Sequence, residues 1–460
     1  MNIAKLVDLE KQEMIRFKEE LDFLKSEIKD IRILLEEFII KNEKVNLNKS
    51  GAIPHLIQEK TQKIDYQIGV GDFNITEKEK EYINDVLNSR RLSHGKYLSK
   101  FEIEFARAHK AEYALVCSSG TDALRISLAC LKEDENWKDG DEVIVPAITF
   151  VATSNIIIQN NMKPIFVDIE KDYYGIDPNL IEKHITPRTR AIIPVHLFGM
   201  PCDMDPIMQI AKKYGLKVIE DSCETMFARY KDRYAGTFGD FGCFSTYACH
   251  IIVTGVGGII ITGNPKYAEI VKSLMNHGRD SIYINIDDDK KVNKEKLFNI
   301  VARRFRFERL GYSSRLTELE GALGLAQLER KNELIKERRN NAAYFTTHLS
   351  KFLNYLQLPK IRPKTEHSFM MYPIVVNNPI SKQELINFLE ENNIETRDML
   401  PLINQPIYKK LFGNIEDQYP VAKWINSNGF YIGCQPQLKE HERSYIVAKF
   451  NEFFKMKTLV

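Results

Sequence analysis

Three short stretches place small, acidic and imidazole side chains where an apolar strand gives way to a turn. In Cys117-Ser118-Ser119-Gly120-Thr121-Asp122-Ala123-Leu124 a strand ends in small residues and a helix begins, so exposed amides there could hold a phosphate. The same residues serve equally well as plain helix capping. In Ile219-Glu220-Asp221-Ser222-Cys223-Glu224 an apolar strand delivers Asp221 at its C-terminal end. Such an acid can keep a heteroaromatic nitrogen protonated, as a pyridine ring needs in order to act as an electron sink; a helix cap or a surface-loop acid fits it as well. The third stretch is Phe241-Gly242-Cys243-Phe244-Ser245-Thr246-Tyr247-Ala248-Cys249-His250, followed by Thr254-Gly255-Val256-Gly257-Gly258. Ser245 and the glycine-rich turn offer donors and close backbone approach. His250 is either a titrating group or a satisfied structural histidine, and His94, His196 and His277 stand open to the same two readings.

The elements that must position these residues follow an α/β pattern. Short apolar runs at Ala114-Cys117, Glu142-Pro146, Pro164-Ile169, Ala191-Leu197, Lys217-Asp221, Cys243-Tyr247 and Gly258-Thr262 are separated by segments long enough for helices. That alternation predicts a mostly parallel central sheet with function at the strand ends. Leu316 to Leu349 reads as one helix, with a smaller C-terminal α/β domain starting inside it. Ahead of these elements, Met14, Phe17, Leu21, Leu24, Ile28, Ile31, Leu35 and Phe38 recur at spacings of three and four. This is a coiled-coil seam or the apolar stripe of a packed amphipathic helix. The expected organisation is a coiled-coil helix over 1–48, a linker over 49–68, a large domain over 69–330 and a small domain over 331–460.

Composition narrows the class of partner. The 65 Lys and Arg nearly cancel the 63 Asp and Glu, and no block of like charge forms a nucleic-acid arm. No window reaches the roughly 20 apolar residues of a membrane span, and the start of the chain lacks a short apolar signal region. Seven cysteines without a CxxC pair or zinc spacing suit a reduced, cytoplasmic protein with no metal.

Read in order, the three stretches resemble the DegT/DnrJ/EryC1/StrS family, fold-type-I pyridoxal-phosphate enzymes that modify nucleotide-linked keto sugars. The resemblance runs from about residue 69 to 455. It includes Ala147-Ile148-Thr149-Phe150-Val151-Ala152-Thr153, Pro194-Val195-His196-Leu197-Phe198-Gly199, Asn276-His277-Gly278-Arg279 and Gly311-Tyr312-Ser313-Ser314-Arg315. It implies that Gly120 and Thr121 bind the cofactor phosphate, Phe150 stacks on the pyridine ring, Asp221 pairs with its nitrogen and Ser245 adds a phosphate contact. It also implies a homodimer with shared active sites. Ser313 stands where the family often sends an asparagine to the other subunit's phosphate, and the coiled coil could add further association.

His250 stands where the family has its cofactor-binding lysine, five residues after Ser245 and five before Gly255. Imidazole cannot form the lysine's imine but can act as a base near neutral pH. The cofactor would then be held non-covalently, as pyridoxal 5'-phosphate or its amine form, pyridoxamine 5'-phosphate. A lysine-to-histidine branch of the family, the 3-dehydratases of nucleotide-linked 4-keto-6-deoxyhexoses, has this arrangement and tends to carry an acid at the position of Glu224, so Glu224 joins the cofactor-binding set. The resemblance implies loss of the C3 hydroxyl with His250 as base and glutamate or a similar amino donor renewing the cofactor. Only Cys434 follows Cys249, so the clustered cysteines of the iron-sulfur version are missing. Val256 and Ile251 depart from the branch, where an acid and a second histidine are usual. A sugar aminotransferase-like activity and a non-catalytic scaffold are the alternative readings.

Overall fold

Runs such as Glu142-Val143-Ile144-Val145-Pro146 and Gly258-Ile259-Ile260-Ile261-Thr262 are rich in β-branched residues and buried at every position. Continuous burial of this kind belongs to strands whose two faces are both covered. The computed structural model describes residues 64–281 and 292–457, and in it seven largely buried runs form one sheet. These are β1 (Tyr113–Cys117), β2 (Glu142–Pro146), β3 (Lys163–Val167), β4 (Thr189–Ile192), β5 (Lys217–Asp221), β6 (Phe241–Ser245) and β7 (Gly258–Thr262), in spatial order β1-β7-β6-β5-β4-β2-β3. The pairs from β3 across to β6 are parallel, and β7 runs antiparallel between β6 and β1. The expected run Ala191-Leu197 ends as a strand at Ile192. Pro194 has no N–H for the ladder, and beyond it Val195 makes only an isolated bridge to Asp221.

The C-terminal part carries a second, antiparallel sheet ordered Leu356–Gln357, Met371–Val376, Gly429–Gly433, Thr396–Asp398. Its core joins Phe345, Tyr372, Phe430 and Phe450. The expected single helix over Leu316 to Leu349 is two helices, Glu318–Glu329 and Lys331–Leu349, meeting at Arg330. Met399, Leu402, Tyr408 and Ile425 pack in the core of the large sheet. The C-terminal segment therefore contributes to both cores.

The expected coiled-coil helix over 1–48 and residues 49–63 of the expected linker lie outside the described residues. The remainder of that linker is anchored. Ile64 and Ile68 are buried in the C-terminal core, the Ile68 amide donates to the Asn393 carbonyl at 2.8 Å and the Glu395 amide donates to the Ile68 carbonyl at 3.0 Å. Among the described residues no helix is long and apolar enough to cross a membrane.

Candidate active site

The C-terminal ends of β1, β2, β5 and β6 open onto a cavity of about 360 Å³. Gly120, Thr121, Phe150, Asp221, Glu224, Ser245 and His250 all line it. Parallel strands bring these residues together because every crossover returns the chain to the same sheet edge, where loops are free to vary. Ser313 does not line the cavity; it is exposed, and its hydroxyl accepts from Arg315 at 2.9 Å.

One end of the cavity is built for an anion. The Gly120–Asp134 helix starts there, with the Ser119 hydroxyl accepting from the Asp122 amide. The first turn leaves the Gly120 and Thr121 amides without intrahelical acceptors, and the helix dipole adds positive potential. Glycine is required at 120 by contact rather than by backbone angle. A Cβ there would lie 2.7 Å from Ser245 Cβ and 2.9 Å from Cys223 Sγ. Gly258 likewise lets β7 pass the Ser119 carbonyl, which a Cβ would meet at 2.2 Å. No lysine or arginine is among the described residues lining the cavity, so a phosphate held here would be met by amides and hydroxyls.

Across the cavity, Asp221 is buried at the end of β5. Its Oδ2 accepts from Thr153 Oγ1 at 2.7 Å, Thr153, its one hydrogen so used, accepts from the Thr149 hydroxyl at 2.7 Å, and Oδ1 accepts from the Cys223 amide at 3.1 Å. Two carboxylate oxygens offer about four lone pairs, so Asp221 retains capacity for a ring N–H from the cavity. Phe150, the residue preceding the Val151–Gln159 helix, leaves 58% of its surface exposed at the cavity wall. A flat ring stacked there would cover apolar area that otherwise faces water. Phosphate cradle, aromatic wall and buried carboxylate together suit a phosphorylated pyridine.

His250 follows β6 on a tight turn, its amide donating to the Tyr247 carbonyl at 3.0 Å. Its Nδ1 lies 2.6 Å from the Cys223 carbonyl oxygen. A carbonyl only accepts, so Nδ1 carries the hydrogen, and neutral His250 presents a bare Nε2 lone pair. Burial pushes the imidazole down to about 4, opposed by hydrogen bonding to the Cys223 backbone and, more weakly, the Ser245 backbone, while the Arg338 cation acts in the same direction as burial. The neutral form therefore prevails near pH 7. Glu224 shows the converse. Burial pushes its carboxyl up to about 7, partly offset by the Phe198 amide, which donates to Oε2 at 2.8 Å, and reinforced by the charge of Asp221.

A profile of the DegT/DnrJ/EryC1/StrS aminotransferase family matches residues 74–451. The chain belongs to that family. It is 33% identical over 383 residues to a GDP-perosamine synthase of Escherichia coli O157:H7, covering 83% of this chain and 97% of the relative. It is 31% identical to a dTDP-4-dehydro-2,6-dideoxy-D-glucose 3-dehydratase of Saccharopolyspora spinosa, covering 79% of this chain and 81% of that one. Its fold is similar to that of the E. coli GDP-4-keto-6-deoxy-D-mannose-3-dehydratase solved with hydrated pyridoxal phosphate, with TM-score 0.76 and 27% identity over 84% of this chain and all of the other. The protein is thus a pyridoxal-phosphate-dependent sugar-modifying enzyme of fold type I.

The structure also brings in residues that sequence reasoning passed over. Thr153 lies one helical turn beyond Phe150, a spacing that puts both on one helix face and could have flagged it. Met370, Leu400 and Tyr431 reach the cavity from the C-terminal part, and nothing in their local sequence announces them. His196 is taken out of the cavity: it is fully buried, its Nε2 3.0 Å from Glu220, while Nδ1 accepts from the Cys202 amide. Ile251, at the position of the branch's second histidine, is buried in the main core.

Proposed function

We propose that this enzyme removes the C3 hydroxyl of a nucleotide-linked 4-keto-6-deoxyhexose, with His250 as the base. The observation that carries the reading is the tautomer of His250, locked by the Cys223 carbonyl in a cavity with no lysine among its described lining residues. A base of this kind accepts a proton at Nε2 without forming a covalent bond to an aldehyde. The neighbours named as 3-dehydratases support the same reading.

Gly120, Thr121 and Ser245 would hold the cofactor phosphate, Phe150 would cover one face of the ring, and Asp221 would keep the ring nitrogen protonated. When bound, pyridoxamine phosphate supplies an amine for the sugar ketone and a ring that accepts electrons. The chain's own residues do the rest. His250 Nε2 takes the carbon-bound proton, and Glu224, which keeps its own proton up to near neutral pH, presents a polar group that need not be charged. The apolar walls from Leu124, Val195, Leu197 and Met370 keep bulk water from the base. Glutamate as amino donor, a homodimer in which Ser313 serves the neighbouring subunit's site, and a cytoplasmic setting complete the proposal. All seven cysteines are free thiols, in keeping with a reducing compartment.

The test is a mass-spectrometric assay of a panel of nucleotide-linked 4-keto-6-deoxyhexoses with pyridoxamine phosphate and glutamate. A product lighter by one oxygen, with ammonia released, is the expected result. A product carrying an amino group in place of the ketone oxygen refutes deoxygenation and favours the chemistry named in the perosamine synthase relative. Borohydride treatment with pyridoxal phosphate should leave the chain unmodified, whereas His250→Lys should become covalently labelled.

A further inference from the structure

A buried arginine stands behind the His250 turn. The Lys331–Leu349 helix carries Arg338 at 2% exposure, and among the described residues the groups acting on its charge are the Cys434 and Cys249 thiols rather than a carboxylate. Its guanidinium instead meets main-chain carbonyls from two distant segments. Nη2 donates to the His250 carbonyl at 3.0 Å, and Nη1 donates to the Met370 carbonyl at 2.7 Å and the Phe369 carbonyl at 3.4 Å.

These bonds close a circuit around the cavity. The Met370 amide donates to the Phe198 carbonyl at 3.0 Å, and the Phe198 amide donates to Glu224. Glu224 adjoins Cys223, whose carbonyl receives the His250 Nδ1 hydrogen. Base and carboxyl are therefore nodes of one hydrogen-bonded ring, and Arg338 is its link to the C-terminal part. Two further nodes are held in left-handed backbone conformations, Phe198 at φ 58 and Phe369 at φ 47. Bulky residues rarely adopt that region and persist there only where the surroundings determine them. A buried cation without a counter-charge is also costly, and an apolar side chain of similar volume often packs more favourably. The planar fork holds carbonyls on two segments in one fixed geometry, which the rotatable point charge of a lysine ammonium does not impose.

We propose that Arg338 is the positioning residue for His250: its guanidinium, shared between the His250 carbonyl and the Phe369–Met370 carbonyls, fixes the turn that aims the imidazole into the cavity. This rests on the reading of His250 as the base. The cation has a second effect, since it disfavours a charged imidazole beside it. The other titratable groups lining the cavity are Asp221, Cys223, Glu224, Tyr247, Cys249 and Tyr431.

The test reads His250 directly in the cofactor-free, full-length protein labelled with 15N-histidine, its resonances assigned by their loss in His250→Asn. In the wild type the Nδ1–H tautomer should dominate and the ring should titrate below pH 5. Arg338→Lys keeps the charge and loses the fork, so the tautomer signal should become mixed. Arg338→Met should also move the titration up by about one pH unit. Pyridoxamine phosphate affinity, followed by absorbance, should stay within about threefold of wild type, because Arg338 is absent from the lining of the cavity. His250 signals with unchanged tautomer and titration in both variants overturn the proposal; if Arg338→Met does not fold, Arg338→Lys decides alone. A tenfold or greater loss of pyridoxamine phosphate affinity in a folded variant also overturns it, since Arg338 would then shape the binding site at large. No sugar enters the experiment, so its failure is separate from failure of the deoxygenation reading, which the product-mass assay alone decides.

Discussion

Replacing Glu224 by glutamine is expected to stabilise the cofactor-free enzyme at pH 8 and to do little at pH 5. Glutamine keeps the shape and a carbonyl oxygen for the Phe198 amide, so the change removes a charge and little else. In the folded protein the carboxyl is raised from its ordinary 4.5 to about 7 by burial. A raised carboxyl contributes its stability below the unfolded value and loses it as pH climbs through the folded value, because between the two the native state holds a proton that the unfolded chain has released. At ~1.36 kcal/mol per pH unit, the gap from 4.5 to about 7 makes the ionised carboxylate cost ~3 kcal/mol at pH 8 and less than about 1 kcal/mol at pH 5. Glutamine escapes that cost. His250 titrates in both proteins and cancels from the comparison. For a chain of this length ~1 kcal/mol corresponds to roughly 1 °C in unfolding midpoint, so the variant should gain roughly 3 °C at pH 8 and under about 1 °C at pH 5 in thermal unfolding. Equal gains at both pH values, or none at pH 8, refute the reasoning, because Glu224 would then ionise without penalty and could not hold a proton near neutrality.

Two further substitutions test the cavity. Gly120→Ala inserts a methyl group 2.7 Å from Ser245 Cβ and 2.9 Å from Cys223 Sγ, so the cradle must open, and pyridoxamine phosphate should bind at least about tenfold more weakly in an absorbance titration. Thr153→Val removes the hydroxyl that donates to Asp221 Oδ2 at 2.7 Å. A lost hydrogen bond of ~1 kcal/mol should weaken pyridoxamine phosphate binding about fivefold with little change in unfolding midpoint, whereas unaltered affinity would show that the hydroxyl does not orient the carboxylate.

The strand-forming runs were legible because burial on both faces demands unbroken apolar residues, and Val143-Ile144-Val145 or Ile259-Ile260-Ile261 admit few other readings. The turns that follow were legible too, since Ser119-Gly120-Thr121 and Asp221 occupy strand ends whatever the sheet's exact order. The anchoring of Ile64 and Ile68 was not, because a linker and a short buried segment without periodicity look alike until a partner surface is known. Nor was the division of the Leu316 to Leu349 run at Arg330, where helical patterning continues across the break.

By itself the sequence determined the α/β framework, the strand-end positions of the candidate residues and the replacement of a lysine by His250, because these depend on residue type and local spacing. Only the tertiary structure decided which hydrogen His250 carries, since the Cys223 carbonyl that selects the tautomer lies 27 positions away. It alone placed Thr153 against Asp221 and Arg338 behind the His250 turn, across separations of 68 and 88 residues. Protonation and orientation are set by what lies within hydrogen-bonding reach. That proximity is a product of packing, which no run of neighbouring residues records.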